Sequence, residues 1–275
     1  MEKREVLSIG LIQARRDSDW KATLSRVTSL ASSLKDVDVV MLSENWLSRD
    51  PINIELYEEA LEKVAHASGA TAVLGGTNYV LENERPVSMG LAYISGRIVR
   101  MCEKVFPSRA VGERGRIRPG KLYPPVEILG WRLQCIACVG IFYPELARMA
   151  VALGANVIYN PASIPSDRLN LWSSTLLVRA AENTVYSVGV NGVGYVYPDG
   201  RITLGGSGVY APNGIVLGRL GSSEETGIFH LYNNLIDNIR NRWAFYHDLT
   251  KYILKQIYSN NIYKFINIRV VEDHD

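Results

Sequence analysis

Apolar runs of two different periods take turns along this chain, and that alternation limits the folds open to it more than any other feature. Strand-like runs at 6–13, 37–42 and 71–79 are separated by stretches at 20–34 and 54–68 that read as helices. Strand, helix and strand in succession point to an α/β architecture. Further on, the runs at 91–94, 97–105 and 126–139 are joined by Gly and Pro turns with no helix between them, which implies antiparallel pairing inside a mixed sheet. The two modes then repeat: a helix over 144–153, a strand to Tyr159, a helix over 169–182 and strands through Val216. Past Glu224 come a strand at 227–231 and a long helical region broken around 243–248. The segment 262–271 alternates apolar and polar residues like an exposed strand, ahead of an acidic tail. We expect one domain over 1–250 and an extension over 251–275 that either grips another subunit or forms a peripheral edge strand.

Three of these apolar runs lead to a reactive side chain. Glu44 follows Val-Val-Met-Leu-Ser, Lys104 follows Ile-Val-Arg-Met-Cys-Glu, and Cys138 follows Leu-Gln-Cys-Ile-Ala. A base, a cation and a nucleophile thus stand where strands end. Cys138 is the most specific of the three, because Pro144, six residues later, suits the first turn of a helix. On such a strand-to-helix turn, free backbone N–H groups can favour a thiolate or receive the oxyanion formed when sulfur attacks a carbonyl.

In these motifs the chain resembles the nitrilase, or carbon-nitrogen hydrolase, superfamily over roughly residues 6–250. The resemblance implies a four-layer α-β-β-α sandwich with two mixed sheets and a Glu-Lys-Cys triad. Glu44 matches the general base, Lys104 the catalytic lysine, and Cys138, ahead of Pro144-Glu145, the nucleophile. Glu113, before Pro119-Gly120, matches a further glutamate that positions the lysine or the departing amine. The backbone N–H of Val139 would serve the oxyanion, and Trp46, Tyr143, Asn160, Ser163 and Trp172 fall in segments that line the pocket in relatives. The chain departs from the pattern at Gly140 and Phe142, where many members carry an acidic residue and an arginine, and at Ser43, commonly proline. Loss of two charges beside the nucleophile leads us to expect a hydrophobic slot and neutral or aromatic substrates in preference to dicarboxylate amides.

The chemistry implied is hydrolysis of a small linear amide or N-carbamoyl compound through a cysteine thioester, with no metal and no organic cofactor. A nitrilase is the alternative enzyme, disfavoured by Val139-Gly140 after the nucleophile; a non-catalytic small-molecule-binding protein on the same scaffold is the alternative outside enzymes. Cys102 reads as packing or a surface thiol. Cys135-x-x-Cys138 lacks a second metal-spaced pair, which disfavours disulfide-redox and zinc roles; a sulfenic-acid role for Cys138 stays open, with Cys135 as the one nearby resolving thiol, and His66, His230, His247 and His274 have no catalytic context.

The 275 residues suffice for a single large core, and 47% hydrophobic with 21% charged residues is ordinary globular composition. A formal charge of +2 offers no electrostatic case for nucleic acid or an anionic membrane, and the basic cluster at 114–121 reads as a solvated loop face. No apolar run approaches the ~18 residues of a transmembrane helix. Three cysteines make no disulfide framework, and the first residues do not resemble a secretory leader, so a cytoplasmic protein is expected. The resemblance further implies a homodimer or higher homo-oligomer.

Overall fold

The computed structural model describes residues 4–248 and 251–252. In chain order the elements are β1 (Val6–Gln13), α1 (Trp20–Ser33), β2 (Val39–Met41), α2 (Ile54–Ser68), β3 (Ala72–Leu74), β4 (Asn78–Val80), β5 (Val87–Ile94), β6 (Arg97–Glu103), β7 (Val126–Ile128) and β8 (Trp131–Cys135). There follow α3 (Pro144–Ala152), β9 (Val157–Ala162), α4 (Leu169–Asn183), β10 (Tyr186–Asn191), β11 (Val193–Val196), β12 (Ile202–Leu204), β13 (Gly208–Tyr210), β14 (Val216–Arg219), β15 (Glu225–Tyr232) and α5 (Asn233–Arg242). The proposed strand at 262–271 lies outside the described residues.

The strands form two large mixed sheets. One runs β15-β1-β2-β3-β5-β4, with β6 on the other edge of β5; the second runs β14-β13-β10-β9-β8-β7. Strands β1, β2 and β3 are parallel, as are β8, β9 and β10, and antiparallel strands extend each set. The period-two alternation of side chains sorts each strand between two cores. Leu7, Ile9 and Leu11 of β1 meet Val157 and Tyr159 of β9 and Val188 of β10 between the sheets. Ile12, Val40 and Leu42 face the opposite way, onto Val27 of α1 and Leu61 of α2. Ile158 and Ala162 likewise pack on Ala150 of α3 and Trp172 and Leu176 of α4. The result is a four-layer α-β-β-α sandwich, in which each fully buried Leu or Ile contributes roughly 1.5–3 kcal/mol.

The helices begin and end where side-chain chemistry satisfies their free backbone groups. Asp19 caps α1 through the Lys21 N–H, Asn53 caps α2 through the Leu56 N–H, and Pro144 opens α3. Two long strand-like runs are divided in the structure. The run at 71–79 breaks at Gly75-Gly76 into β3 and β4, which share one edge of β5. Gly76 has φ +65°, and a Cβ there would stand 1.9 Å from the Ser43 carbonyl oxygen, so glycine lets the chain pass against the segment carrying Glu44. The run at 126–139 turns at Leu129-Gly130, both with positive φ, and its strand ends at Cys135.

One correction concerns cysteine. Cys102 of β6 and Cys135 of β8 are joined as a disulfide, with Cα atoms 5.7 Å apart, so the bond ties one sheet to the other. Cys102 is therefore neither simple packing nor a surface thiol. Spacing could not reveal this, because the two strands meet only when the sheets stack.

Candidate active site

Glu44 lies just beyond β2, where its N–H donates to the Ala162 carbonyl across the sandwich (3.3 Å). Lys104 follows β6 directly, with its N–H on the Ser88 carbonyl (2.8 Å). Cys138 opens a 3-10 turn, Cys138–Phe142, three residues past β8. The sheets thus bring three strand ends to one place. Lys104 Nζ lies 2.9 Å from Glu44 Oε1, and 2.8 and 2.7 Å from the two Glu113 oxygens. Glu113 also accepts hydrogen bonds from the Tyr79 hydroxyl (2.7 Å) and the Ser108 backbone N–H (2.6 Å). The Cys138 thiol lies near enough to the Glu44 carboxyl group for each to shift the other's proton affinity.

The backbone of Cys138 is held in an unusual state. Cys138 has φ +44°, a left-handed conformation that costs a non-glycine residue about 1–3 kcal/mol unless its surroundings enforce it. Asn160 supplies part of that enforcement: its Nδ2 donates to the carbonyls of Ile136 and Cys138, the latter at 3.0 Å. Trp172 Nε1 in turn donates to Asn160 Oδ1 (2.7 Å), and Arg179 Nε holds the Ile141 carbonyl (3.0 Å). Strand β9 and helix α4 therefore brace the turn from behind.

Burial dominates the electrostatics. Glu44, Lys104 and Glu113 are all nearly inaccessible to water. Burial pushes the Glu44 carboxyl above the ordinary carboxylate range; the Lys104 cation opposes this and Glu113 adds to it. Burial also raises the Cys138 thiol, reinforced by the Glu44 charge, so the resting sulfur keeps its proton. For Lys104 burial alone would disfavour the charge, but the Cys138, Glu44 and Glu113 sites outweigh it and hold the ammonium well above its ordinary value. The arrangement is a protonated thiol beside a carboxyl group that is itself held 2.9 Å from the Lys104 ammonium.

The group opens into a cavity of about 580 Å³. Glu44, Glu113, Cys138 and Val139 line it, as do Tyr143 and Ser163 among the expected substrate contacts. Trp46, Asn160 and Trp172 are not among its lining residues. Trp46 is buried against α2 with its indole N–H on the Gly75 carbonyl, while Asn160 donates to the cysteine turn and Trp172 donates to the Asn160 side-chain oxygen. Their polar atoms are turned to neighbouring chain, not to the cavity surface.

Gly140 does not shape the cavity either: a Cβ there would meet Ile136 and Leu146 in the α3 core. Phe142 lines the wall with Val139, Ile164 and Leu171, so the lining is largely apolar, but exposed arginines share it. Arg114 and Arg116 are among them, and Arg118 pairs with Glu82 and Glu103, so the basic cluster at 114–121 is not simply a solvated face. Tyr79, Tyr195 and Tyr197 of the lining were missed by sequence reasoning, since nothing in their local spacing marks them. Among the described residues no group of three or more His, Cys, Asp or Glu is arranged to hold a metal ion, and no helix is long and apolar enough to cross a membrane.

Comparison with known proteins gives a consistent picture. The sequence profile described as carbon-nitrogen hydrolase matches residues 8–241. A 2-oxoglutaramate amidase from Bacillus subtilis is 29% identical over 199 residues, covering 69% of this chain and 76% of the relative. An (R)-stereoselective amidase from a Pseudomonas species is 27% identical over 238 residues, covering 82% and 85%. The solved carbon-nitrogen hydrolase of Helicobacter pylori superposes with a TM-score of 0.82 at 18% identity, covering 94% of this chain and 98% of that one.

Proposed function

Because the chain belongs to the carbon-nitrogen hydrolase family, whose members cleave carbon–nitrogen bonds, we propose that it hydrolyses a small linear amide or N-carbamoyl compound through a thioester on Cys138. The observation that carries this reading is the convergence of Glu44, Glu113 and the Cys138 thiol around one buried ammonium, Lys104, at the wall of a cavity.

In this mechanism Glu44 takes the Cys138 proton as sulfur bonds to the amide carbon. The oxyanion that forms is met by the Lys104 ammonium and the Val139 N–H, each such donor being worth about 2.7–4 kcal/mol of transition-state stabilisation. Glu44 then returns the proton to nitrogen, the carbon–nitrogen bond breaks, and amine or ammonia leaves a thioester. Water, deprotonated by Glu44, attacks the thioester; the acid departs and sulfur recovers its proton. Glu113, anchored by Tyr79 and Ser108, keeps Lys104 in place throughout. Two carboxylates sharing one cation suit separate roles, one exchanging protons and one holding position.

Residues 1–250 as one hydrolase domain, assembly into a homodimer or larger homo-oligomer, and cytoplasmic residence belong to the same reading. Assembly is supported by exposed Ile228, Tyr232, Trp243 and Phe245 around β15 and the end of α5. The test is ammonia release from a panel of amides, N-carbamoyl compounds and nitriles, with Cys138→Ala run alongside. Activity on an amide or carbamoyl substrate should fall by roughly 10⁴-fold or more in the variant, and rapid quench of the wild type should reveal a mass increase equal to the acyl group. Turnover that survives in Cys138→Ala would sink the thioester reading.

A further inference from the structure

Thioester chemistry on an amide needs one cation at the carbonyl, and Lys104 already serves it. Among the described residues the cavity is nevertheless lined by seven arginines against two carboxylates, Glu44 and Glu113, both of which are paired with Lys104. Some of this charge is engaged: Arg16 donates to the Asn45 carbonyl and lies over the Tyr195 ring, and Arg201 pairs with Asp199. Arg49, Arg109, Arg116 and Arg168 are different. All four are exposed, and among the described residues none has an ion pair with a carboxylate.

They reach the mouth from three directions. Arg49 lies in the loop after β2 that carries Glu44, Arg109 and Arg116 in the loop after β6 that follows Lys104, and Arg168 in the turn Ser166–Arg168 after β9. With 30 basic and 28 acidic residues available, the chain could have interleaved the two signs here. It leaves four like charges around one opening, where they repel one another and raise the local potential. Guanidinium matches carboxylate and phosphate through paired hydrogen bonds, and one such anion occupies one or two guanidiniums.

We infer that the substrate is an amide bearing two or more negative charges on the part remote from the scissile bond, and that Arg49, Arg109, Arg116 and Arg168 select it. This rests on the amide-hydrolase reading above and reverses the preference for neutral substrates expected from Gly140 and Phe142. The charges are carboxylate or phosphate, chemistries that the same guanidiniums accept.

The test uses amides that share one scissile carboxamide and differ in the remote end: neutral, monocarboxylate, dicarboxylate and phosphate. Binding to Cys138→Ala protein is measured by calorimetry at low and high salt, and kcat/KM is measured for the wild type. Affinity should rise on the order of fivefold per added charge, and the advantage should shrink as salt screens the rim. It should also be largely lost in the paired variant Arg109→Gln, Arg168→Gln. The dicarboxylate and phosphate arms identify which anion is preferred. Equal or tighter binding of the neutral amide, failure of both dianions to bind, or a charge advantage indifferent to salt and to the arginine changes would overturn the inference. Charge-blind binding alongside Cys138-dependent turnover would defeat this inference alone. Absence of turnover on every amide would defeat the amide-hydrolase reading, while the binding series still reports on charge.

Discussion

Cys138 is poised by what surrounds it, not by an intrinsically acidic thiol. Burial and the Glu44 charge keep the proton on sulfur, so in the proposed mechanism the nucleophile forms only when Glu44 accepts that proton during attack. The same shift has a stability consequence whose sign is fixed by linkage. The folded thiol titrates above its ordinary value of 9.0, and folded Lys104 above its ordinary 10.5. Above about pH 9 the unfolded chain therefore releases protons that the folded protein retains, and stability declines as pH rises. We expect the melting temperature to fall between pH 8 and 10, with a shallower decline in Cys138→Ala, which removes the thiol and one support of the lysine charge. Parallel melting curves for the two proteins across that range would contradict this account.

At the scale of elements, the site depends on how closely the strand ends approach. The chain carrying Glu44 passes Gly76 so tightly that a methyl group at Gly76 would overlap the Ser43 carbonyl, in a backbone conformation that already disfavours any side chain. Gly76→Ala should cost roughly 3 kcal/mol or more in unfolding free energy. It should also depress kcat by displacing Glu44 from Lys104, an effect read from denaturant titration and steady-state kinetics together. A variant of wild-type stability and rate would mean that the loop yields without moving Glu44. On the opposite sheet, Gly189 plays a quieter part: its missing side chain lets Trp172 and Leu176 of α4 sit on β10, which keeps Trp172 in reach of Asn160.

For the whole molecule, the decisive fact is that Glu44 and Lys104 follow strands of one sheet while Cys138 follows a strand of the other. Anything that joins the sheets also holds these three residues together, and the Cys102–Cys135 disulfide joins them next to both Lys104 and Cys138. It closes a loop of sequence separation 33, for which about 2–4 kcal/mol of stabilisation is typical. Cys102→Ala, Cys135→Ala protein should melt roughly 5–10 °C lower, and the denatured, unreduced wild type should titrate one free thiol, that of Cys138. Three thiols, or an unchanged melting temperature, would remove the staple from the account. Such a bond persists in oxidising compartments and in the cytosol of hyperthermophiles, so locating the protein in its cell would test cytoplasmic residence. The division of labour between sequence and structure follows from the range of the forces involved. Periodicity and turn chemistry are local, so the sequence alone determined the α/β alternation, the bounds of β1 and α2, and the helix after Pro144; the ordered motifs singled out Glu44, Lys104, Glu113 and Cys138. Contacts between residues distant in sequence are settled only when two sheets stack and loops meet over them. That is why the disulfide, the Tyr79 hydrogen bond to Glu113, the withdrawal of Trp46, Asn160 and Trp172 from the cavity wall, and the arginines gathered at its mouth belong to the tertiary structure alone.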